Sequence, residues 1–274
     1  MRMIRGVLID LSGTLHIGDT LIPGALDALQ RLRQAQCRVR FLTNTSTKSS
    51  TALRAQLIAM GIPLQDNDDN ELVTSVLATK HYLQHHNPPL RPFCLMEDTS
   101  DFQLGSSSAV DLTPPHNCVV VGLAPTKFNY QNLNQAFRIL LKHPDGLIAI
   151  HRGKYLRDGT DGELSLGPGG FVAALETASG CEPAKVMGKP SGAFFASATW
   201  DDVALEETCM IGDDVVQDVQ GAANAGIGTR ILVRTGKYRP GDESKVPANV
   251  VTTTVPSIVE AVDYILATYE QEDS

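Results

Sequence analysis

Four short stretches of the chain carry side chains that chemistry can use: Asp10-Leu11-Ser12, Thr43-Asn44, Gly188-Lys189-Pro190, and Asp213-Asp214 followed by Asp218. Three of them stand where an apolar run stops, and in open α/β sheets ligands bind at the carboxyl ends of the strands. Carboxylates brought together there suit a divalent cation, and a lysine beside them suits an anion. Each stretch also has a bland explanation. A threonine or aspartate at a strand end caps the next helix, an acid in a first turn favours the positive end of the helix, and a single lysine is an ordinary solvated side chain. The conjunction of all four favours chemistry.

These groups need elements to position them. Val7-Leu8-Ile9-Asp10 reads as a short β-branched strand buried on both faces and broken at Gly13. Pro23 opens a helix on which Ala25, Leu26, Leu29 and Leu32 repeat at helical spacing. A second strand, Val39 to Leu42, ends at Thr43-Asn44, and a helix with Leu53, Leu57 and Met60 on one face stops at Gly61 and Pro63. The rhythm returns late, with a strand at Thr208 to Gly212 ending in Asp213-Asp214. A helix with Val216, Val219, Ala222 and Ala223 follows, then strands at Ile231-Leu232-Val233 and Val250-Val251 and a closing helix lined by Ile258, Ala261, Val262, Ile265 and Leu266. Nearly continuous apolar strands alternating with helices predict an α/β fold built on a parallel sheet. Residues 82–185 differ in composition, with Pro88-Pro89, Gly105-Ser106-Ser107-Ser108 and Pro114-Pro115, and hold strands at Phe93 to Met96, Cys118 to Gly122 and Leu147 to Ile150 beside a helix near Asn129 to Lys142. A second, smaller α/β domain inserted into the first is expected there.

The bulk properties narrow the function classes. At roughly 150 residues per domain, 274 residues make between one and two domains. With 42% apolar and 20% charged residues the composition is globular, and 23 basic against 31 acidic residues give a net charge of -8, which argues against a general nucleic-acid binder. The five cysteines (Cys37, Cys94, Cys118, Cys181, Cys209) form no C-x-x-C pair and read as free thiols. Only a short apolar run leads into Asp10, and no run approaches the roughly 20 residues that span a bilayer, so a cytoplasmic protein without membrane contact is expected.

In order and spacing, Asp10-Leu11-Ser12-Gly13-Thr14-Leu15, Thr43-Asn44, Lys189-Pro190 and Gly212-Asp213-Asp214 with Asp218 resemble the four motifs of the haloacid dehalogenase-like superfamily. The insert between the second and third motifs resembles the subgroup with a type 2 cap. The resemblance implies a Rossmann-like core, residues 1–81 and 186–274, with helices on both faces and a cap at 82–185. It implies a phosphatase in which Asp10 is the nucleophile and forms an aspartyl-phosphate. Leu11, Ser12, Thr43, Asn44 and Lys189 would hold the phosphate. Mg²⁺ would be bound by Asp10, the Ser12 carbonyl and Asp213, with Asp214 and Asp218 supporting the ligands from behind. A small phosphorylated substrate is implied, and a homodimer through the cap is an expectation of the same kind.

One position departs from the pattern. Catalytically strong phosphatases of the superfamily carry a second aspartate two residues after the nucleophile, as acid and then base, and here that residue is Ser12. A hydroxyl cannot titrate near neutrality, and such help is worth about 10²- to 10⁴-fold in rate. Substrates with good leaving groups are therefore expected: aryl phosphates, acyl phosphates, pyrophosphate and P–N bonds. The cap segment His151, Arg152, Lys154 and Tyr155, followed by Arg157, is the candidate for substrate selection, although the Asn-x-Asp signature of many relatives is absent near His151.

Other patterns fail. Gly167-Pro168-Gly169-Gly170 is not G-x-G-x-x-G, Asp66, Asp68 and Asn70 lack the glycine and glutamate of a calcium loop, and the histidines 81, 85 and 86 have no acidic partner. Two alternatives stand beside the phosphatase: a weakly active or non-catalytic phosphometabolite-binding protein, against which the intact Asp10 argues, and a metal-free 2-haloacid dehalogenase, against which the retained Asp213 and Asp218 argue.

Overall fold

The computed structural model describes residues 3–64, 71–103, 109–157 and 163–270. The calcium-loop lookalike at 66–70 and the polar stretch at 105–108 lie outside these residues, as does the side chain of Arg157.

Strand β1 (Gly6–Asp10) is buried along its whole length and leads, through the turn at Gly13, into a hairpin of β2 (His16–Ile17) and β3 (Thr20–Leu21). Helix α1 (Ala25–Gln34), β4 (Arg38–Thr43) and α2 (Ser50–Ala59) follow, then β5 (Leu72–Thr74) and α3 (Ser75–His85). The next segment holds β6 (Pro92–Leu95), α4 (Ser100–Gln103), β7 (Cys118–Val121), α5 (Tyr130–Leu140), β8 (Leu147–Ala149), the hairpin β9 (Tyr155–Arg157) and β10 (Leu164–Leu166), α6 (Gly169–Ser179) and β11 (Lys185–Val186). The chain closes with α7 (Gly192–Ala198), β12 (Thr208–Gly212), a wide helical stretch over Val215–Gln220, α8 (Gly221–Asn224), β13 (Thr229–Val233), β14 (Thr253–Val255) and α9 (Ile258–Glu270).

The main sheet runs β14-β13-β12-β1-β4-β5, all parallel. Its strands alternate in the two-residue period that pleating imposes. Val7, Ile9, Val39, Phe41, Cys209 and Ile211 meet the α1 and α9 side, while Leu8, Leu42 and Met210 meet Phe194, Phe195 and Ala222 on the other. From β1 the chain proceeds outward through β4 and β5 on one side and through β12 to β14 on the other. The switch point of the sheet therefore lies beside β1, where Asp10 ends the strand.

Between β5 and β12 in sequence, β11-β8-β7-β6 form a second parallel sheet. α5 and α6 cover one face around Ala136, Leu140, Val172 and Leu175, and α3 and α4 cover the other around Val76, Leu83 and Phe102. α3 thus leaves the main sheet at Thr74, which caps it, and packs on the second.

Two expectations need correction. Val250-Val251 is not a strand: Arg230 Nε donates to the Val250 carbonyl at 2.6 Å, curling the chain, and pairing with β13 begins only at Thr253. Val216 is not on the buried face after β12. The stretch Val215–Gln220 has the π-type i→i+5 pattern, whose extra residue per turn leaves Val215 and Val219 buried and Val216 44% exposed. All five cysteines are free.

Candidate active site

The first group of the site comes from the turn after β1. Asp10 is buried, its Oδ1 ion-paired to Lys189 Nζ and its Oδ2 accepting from Thr14 Oγ1 at 3.3 Å. Gly13 has φ +96, and a Cβ there would lie 2.1 Å from Asp213 Oδ2, so only glycine lets this loop pass the carboxylate. Ser12 is exposed and lines the cavity above Asp10.

Lys189 is held in place by Asn44. The Asn44 amide accepts from Lys189 N through Oδ1 at 3.0 Å and donates to Lys189 O through Nδ2 at 3.0 Å, and Nδ2 also donates to Gln217 Oε1 at 2.9 Å. Lys189 Nζ then reaches Asp10, Asp218 Oδ1 at 2.7 Å and the Leu42 carbonyl at 3.3 Å. Burial works against its charge, but Asp10 and Asp218 outweigh burial and hold its pKa above the ordinary lysine value. Thr43 is buried, its Oγ1 accepting from Thr45 N at 3.0 Å.

The strand end of β12 supplies the remaining acids, each with a different task. Asp214 Oδ1 caps the following helical stretch through Val216 N and Gln217 N, both at 2.9 Å, and its Oδ2 pairs with Lys237 Nζ at 3.0 Å. Asp218 is carried by the π-type turn to face back toward the strand, where its Oδ2 accepts from Asp214 N at 3.1 Å. Burial pushes its pKa up to about 6, with Lys189 opposing and Asp10 adding to the rise. Asp213 Oδ2 accepts from Lys237 N at 2.8 Å, while its buried Oδ1 has no partner. Burial raises the Asp213 pKa, with Lys237 opposing and Asp10 and Asp218 raising it further.

Oxygens of Asp10, Asp213 and Asp218 lie within 4.8 Å of one another, all buried. Four carboxylates, with Asp214, face two ammonium groups, leaving two negative charges for a divalent cation to balance. The hard oxygen donors and the orphaned Asp213 Oδ1 fit Mg²⁺. The resemblance groups Asp218 with Asp214 behind the ligands; Asp218 lies with Asp10 and Asp213 in the acidic cluster, and Asp214 caps the helical stretch that follows.

A cavity of 260 Å³ opens above these groups, lined among others by Ser12, Thr43, Asn44, His151, Tyr155, Lys189 and Asp213. Leu11 is buried and does not line it, and its carbonyl closes the turn by accepting from Leu15 N at 2.9 Å. Of the expected cap residues, His151 and Tyr155 line the cavity. Arg152 does not, because its guanidinium makes two bonds to Glu176 at 2.6 and 2.7 Å, and Lys154 is exposed away from it. Burial, then Lys237 and Lys189, lower the His151 pKa to about 3, so its ring is neutral. Lys237 went unrecognised in the sequence. Its signal was position: Thr235-Gly236-Lys237 lies in the loop after β13, one residue beyond the strand end, and Gly236 (φ +60) makes the same close approach to Asp213 Oδ2 as Gly13.

Residues 7–105 match a family model described as haloacid dehalogenase-like hydrolase, and residues 186–261 match a second, HAD-hydrolase-like one. Haloacid dehalogenase-like hydrolase domain-containing protein 2 of Rattus norvegicus is 45% identical over 269 residues, 97% of each chain. The chain belongs to the haloacid dehalogenase-like hydrolase family. This hydrolase is also 40% identical to phospholysine phosphohistidine inorganic pyrophosphate phosphatase of Mus musculus, over 96% of its own chain and 94% of that one. Among solved structures, it is similar to 4-nitrophenylphosphatase from Thermotoga maritima with a TM-score of 0.80 at 26% identity, covering 95% of this hydrolase and 97% of that chain. No helix among its described residues is long and apolar enough to cross a membrane.

Proposed function

We propose that this hydrolase is a Mg²⁺-dependent phosphatase that acts through an aspartyl-phosphate at Asp10 on a small phosphorylated substrate with a good leaving group. The observation that carries this is the pairing of the Asp10 carboxylate with Lys189 at the switch point of the sheet, beside a carboxylate cluster with an unsatisfied oxygen. A carboxylate oxygen of Asp10 bonds to phosphorus as the bond to the leaving group breaks, and the leaving group takes that electron pair. Water then hydrolyses the acyl phosphate and restores Asp10.

Lys189 offsets the negative charge that Asp10 and the phosphoryl group share, and its clamp on Asn44 fixes where that charge sits. Thr43, through its hydroxyl, and the backbone amides at Leu11, Ser12 and Asn44 would hold the remaining phosphate oxygens. Asp10, Asp213 and the Ser12 carbonyl would hold the cation, with Asp218 close enough to join them. When bound, Mg²⁺ supplies positive charge against the phosphate oxygens. Ser12 donates no proton, so the leaving group departs with whatever stability it has of its own, which favours aryl and acyl phosphates, pyrophosphate and P–N bonds over alkyl esters. Residues 82–185 act as the lid that brings His151 and Tyr155 over the phosphate. Hydrolysis of p-nitrophenyl phosphate with Mg²⁺ tests the proposal: turnover by the wild type and none by Asp10→Asn is expected, and equal release by the two overturns it.

A further inference from the structure

Lys189 is held at both ends by consecutive residues of the helical stretch after β12. Asp218 Oδ1 meets its ammonium at 2.7 Å, and Gln217 Oε1 accepts at 2.9 Å from the Asn44 amide that clamps its backbone. Adjacent residues on a helix do not face the same neighbour. An extended lysine is long enough to present its backbone to one and its ammonium to the other. Asp218 is absorbed by the carboxylate cluster, whereas Gln217 has no part in the phosphoryl chemistry described so far. Its side chain is partly buried, lines the cavity above Asp10 and has no partner for Nε2 among the described residues.

The Asn44 amide shows what Gln217 contributes. A primary amide offers one carbonyl oxygen and two donor hydrogens. Here the oxygen accepts from Lys189 N, one hydrogen goes to Lys189 O and the other to Gln217 Oε1. Turning the amide over would set a donor against the Lys189 N–H and an acceptor against two oxygens, so the three partners together allow one orientation. Gln217 thereby ties the segments after β4, β11 and β12 to one another at the foot of the Lys189 side chain. Placement of that side chain matters to rate, since a shift of about 1 Å at a reacting centre can cost about 10²-fold. Resting on the phosphatase reading above, we infer that Gln217 is a positioning residue for phosphoryl transfer: through Asn44 it fixes the backbone of Lys189, and with it the place of the ammonium beside Asp10.

The test is a double-mutant cycle on the full chain over Gln217→Leu, Asn44→Ala and the two combined, with p-nitrophenyl phosphate and Mg²⁺. Gln217→Leu should lower kcat by about tenfold, the rate equivalent of one hydrogen bond, with little change in KM. In the Asn44→Ala protein the same substitution should lower kcat no further, because its route to Lys189 is gone. Gln217→Glu keeps an acceptor for Asn44 and breaks no bond at Nε2, so it should recover most of the kcat that Gln217→Leu loses. Its added charge beside the cavity should raise KM for the anionic substrate instead. A residue that only supported the fold would give none of this split between kcat and KM. Wild-type kcat in Gln217→Leu, losses that multiply in the double variant, or a Gln217→Glu protein no faster than Gln217→Leu overturns this inference and leaves the phosphatase reading standing. Phosphate release by the wild type no faster than by Asp10→Asn overturns both.

Discussion

Asp218 Oδ1 lies 2.7 Å from Lys189 Nζ, so the lysine expected to serve Asp10 also bridges to the far side of the carboxylate cluster. Lys189 is in this sense the internal counter-ion of the site. It ties the ends of β1 and β12 together across the switch point.

Lys189→Met removes the charge and leaves Asp10 and Asp218 facing each other in a buried setting. Breaking a buried ion pair on one side typically costs about 3–5 kcal/mol. Denaturant unfolding should show a loss of that order. Phosphate release should fall by about 10²- to 10³-fold, as for removal of a charge-stabilising donor. Unchanged activity in a folded Lys189→Met protein would remove Lys189 from the mechanism.

Ser12→Asp should restore a titrating group beside Asp10. Hydrolysis of an alkyl phosphate should rise by up to about 10²- to 10⁴-fold, while that of p-nitrophenyl phosphate, whose leaving group needs no proton, rises less. A steady-state comparison of the two substrates measures this, and no rise for the alkyl ester contradicts the role assigned to the position.

Much of this was legible in the strands and their ends. Asp10, Thr43 and Asp213 follow apolar runs whose length and β-branching mark buried parallel strands, and such strand ends converge by topology. Asp218 was harder to place, because an ordinary helix turns it away from Asp213; the π-type turn that swings it into the cluster leaves no mark in apolar periodicity. Lys237 was hidden because its loop is matched to Asp213 by two backbone approaches at Gly13 and Gly236, which no local pattern encodes. His151 and Tyr155 line the cavity and Arg152 does not, a difference the sequence could not show, since it depends on Glu176, 24 residues away from Arg152.

The acid cluster makes stability depend on pH in a definite direction. Asp218 is raised to about 6 from an unfolded value near 3.9, and Asp213 is raised as well, each mainly by burial. Between these values the folded state holds more protons than the unfolded one, so this contribution to stability falls as pH rises from about 4 through 6. Mg²⁺ binds the ionised form. Its thermal shift should therefore be larger at pH 7.5 than at pH 5, and that difference should shrink in Asp218→Asn. A shift independent of pH, or no shift with Mg²⁺ at all, would contradict the cation site.

Arg152→Ala and Lys154→Ala should leave KM for p-nitrophenyl phosphate nearly unchanged, because neither side chain lines the cavity. Loss of the half-exposed Arg152–Glu176 pair should cost about 1 kcal/mol or less. Steady-state kinetics and melting of the two variants check this, and a large rise in KM would bring either residue into the substrate's reach.

The central claim is that Asp10 carries the phosphoryl group. Borohydride quenching during turnover of p-nitrophenyl phosphate, followed by peptide mass spectrometry, reads this directly, since an acyl phosphate is reduced and an aspartate is not. The account predicts substrate-dependent conversion of residue 10 to homoserine, with Asp213, Asp214 and Asp218 untouched. Continued phosphate release with residue 10 unmodified would contradict it.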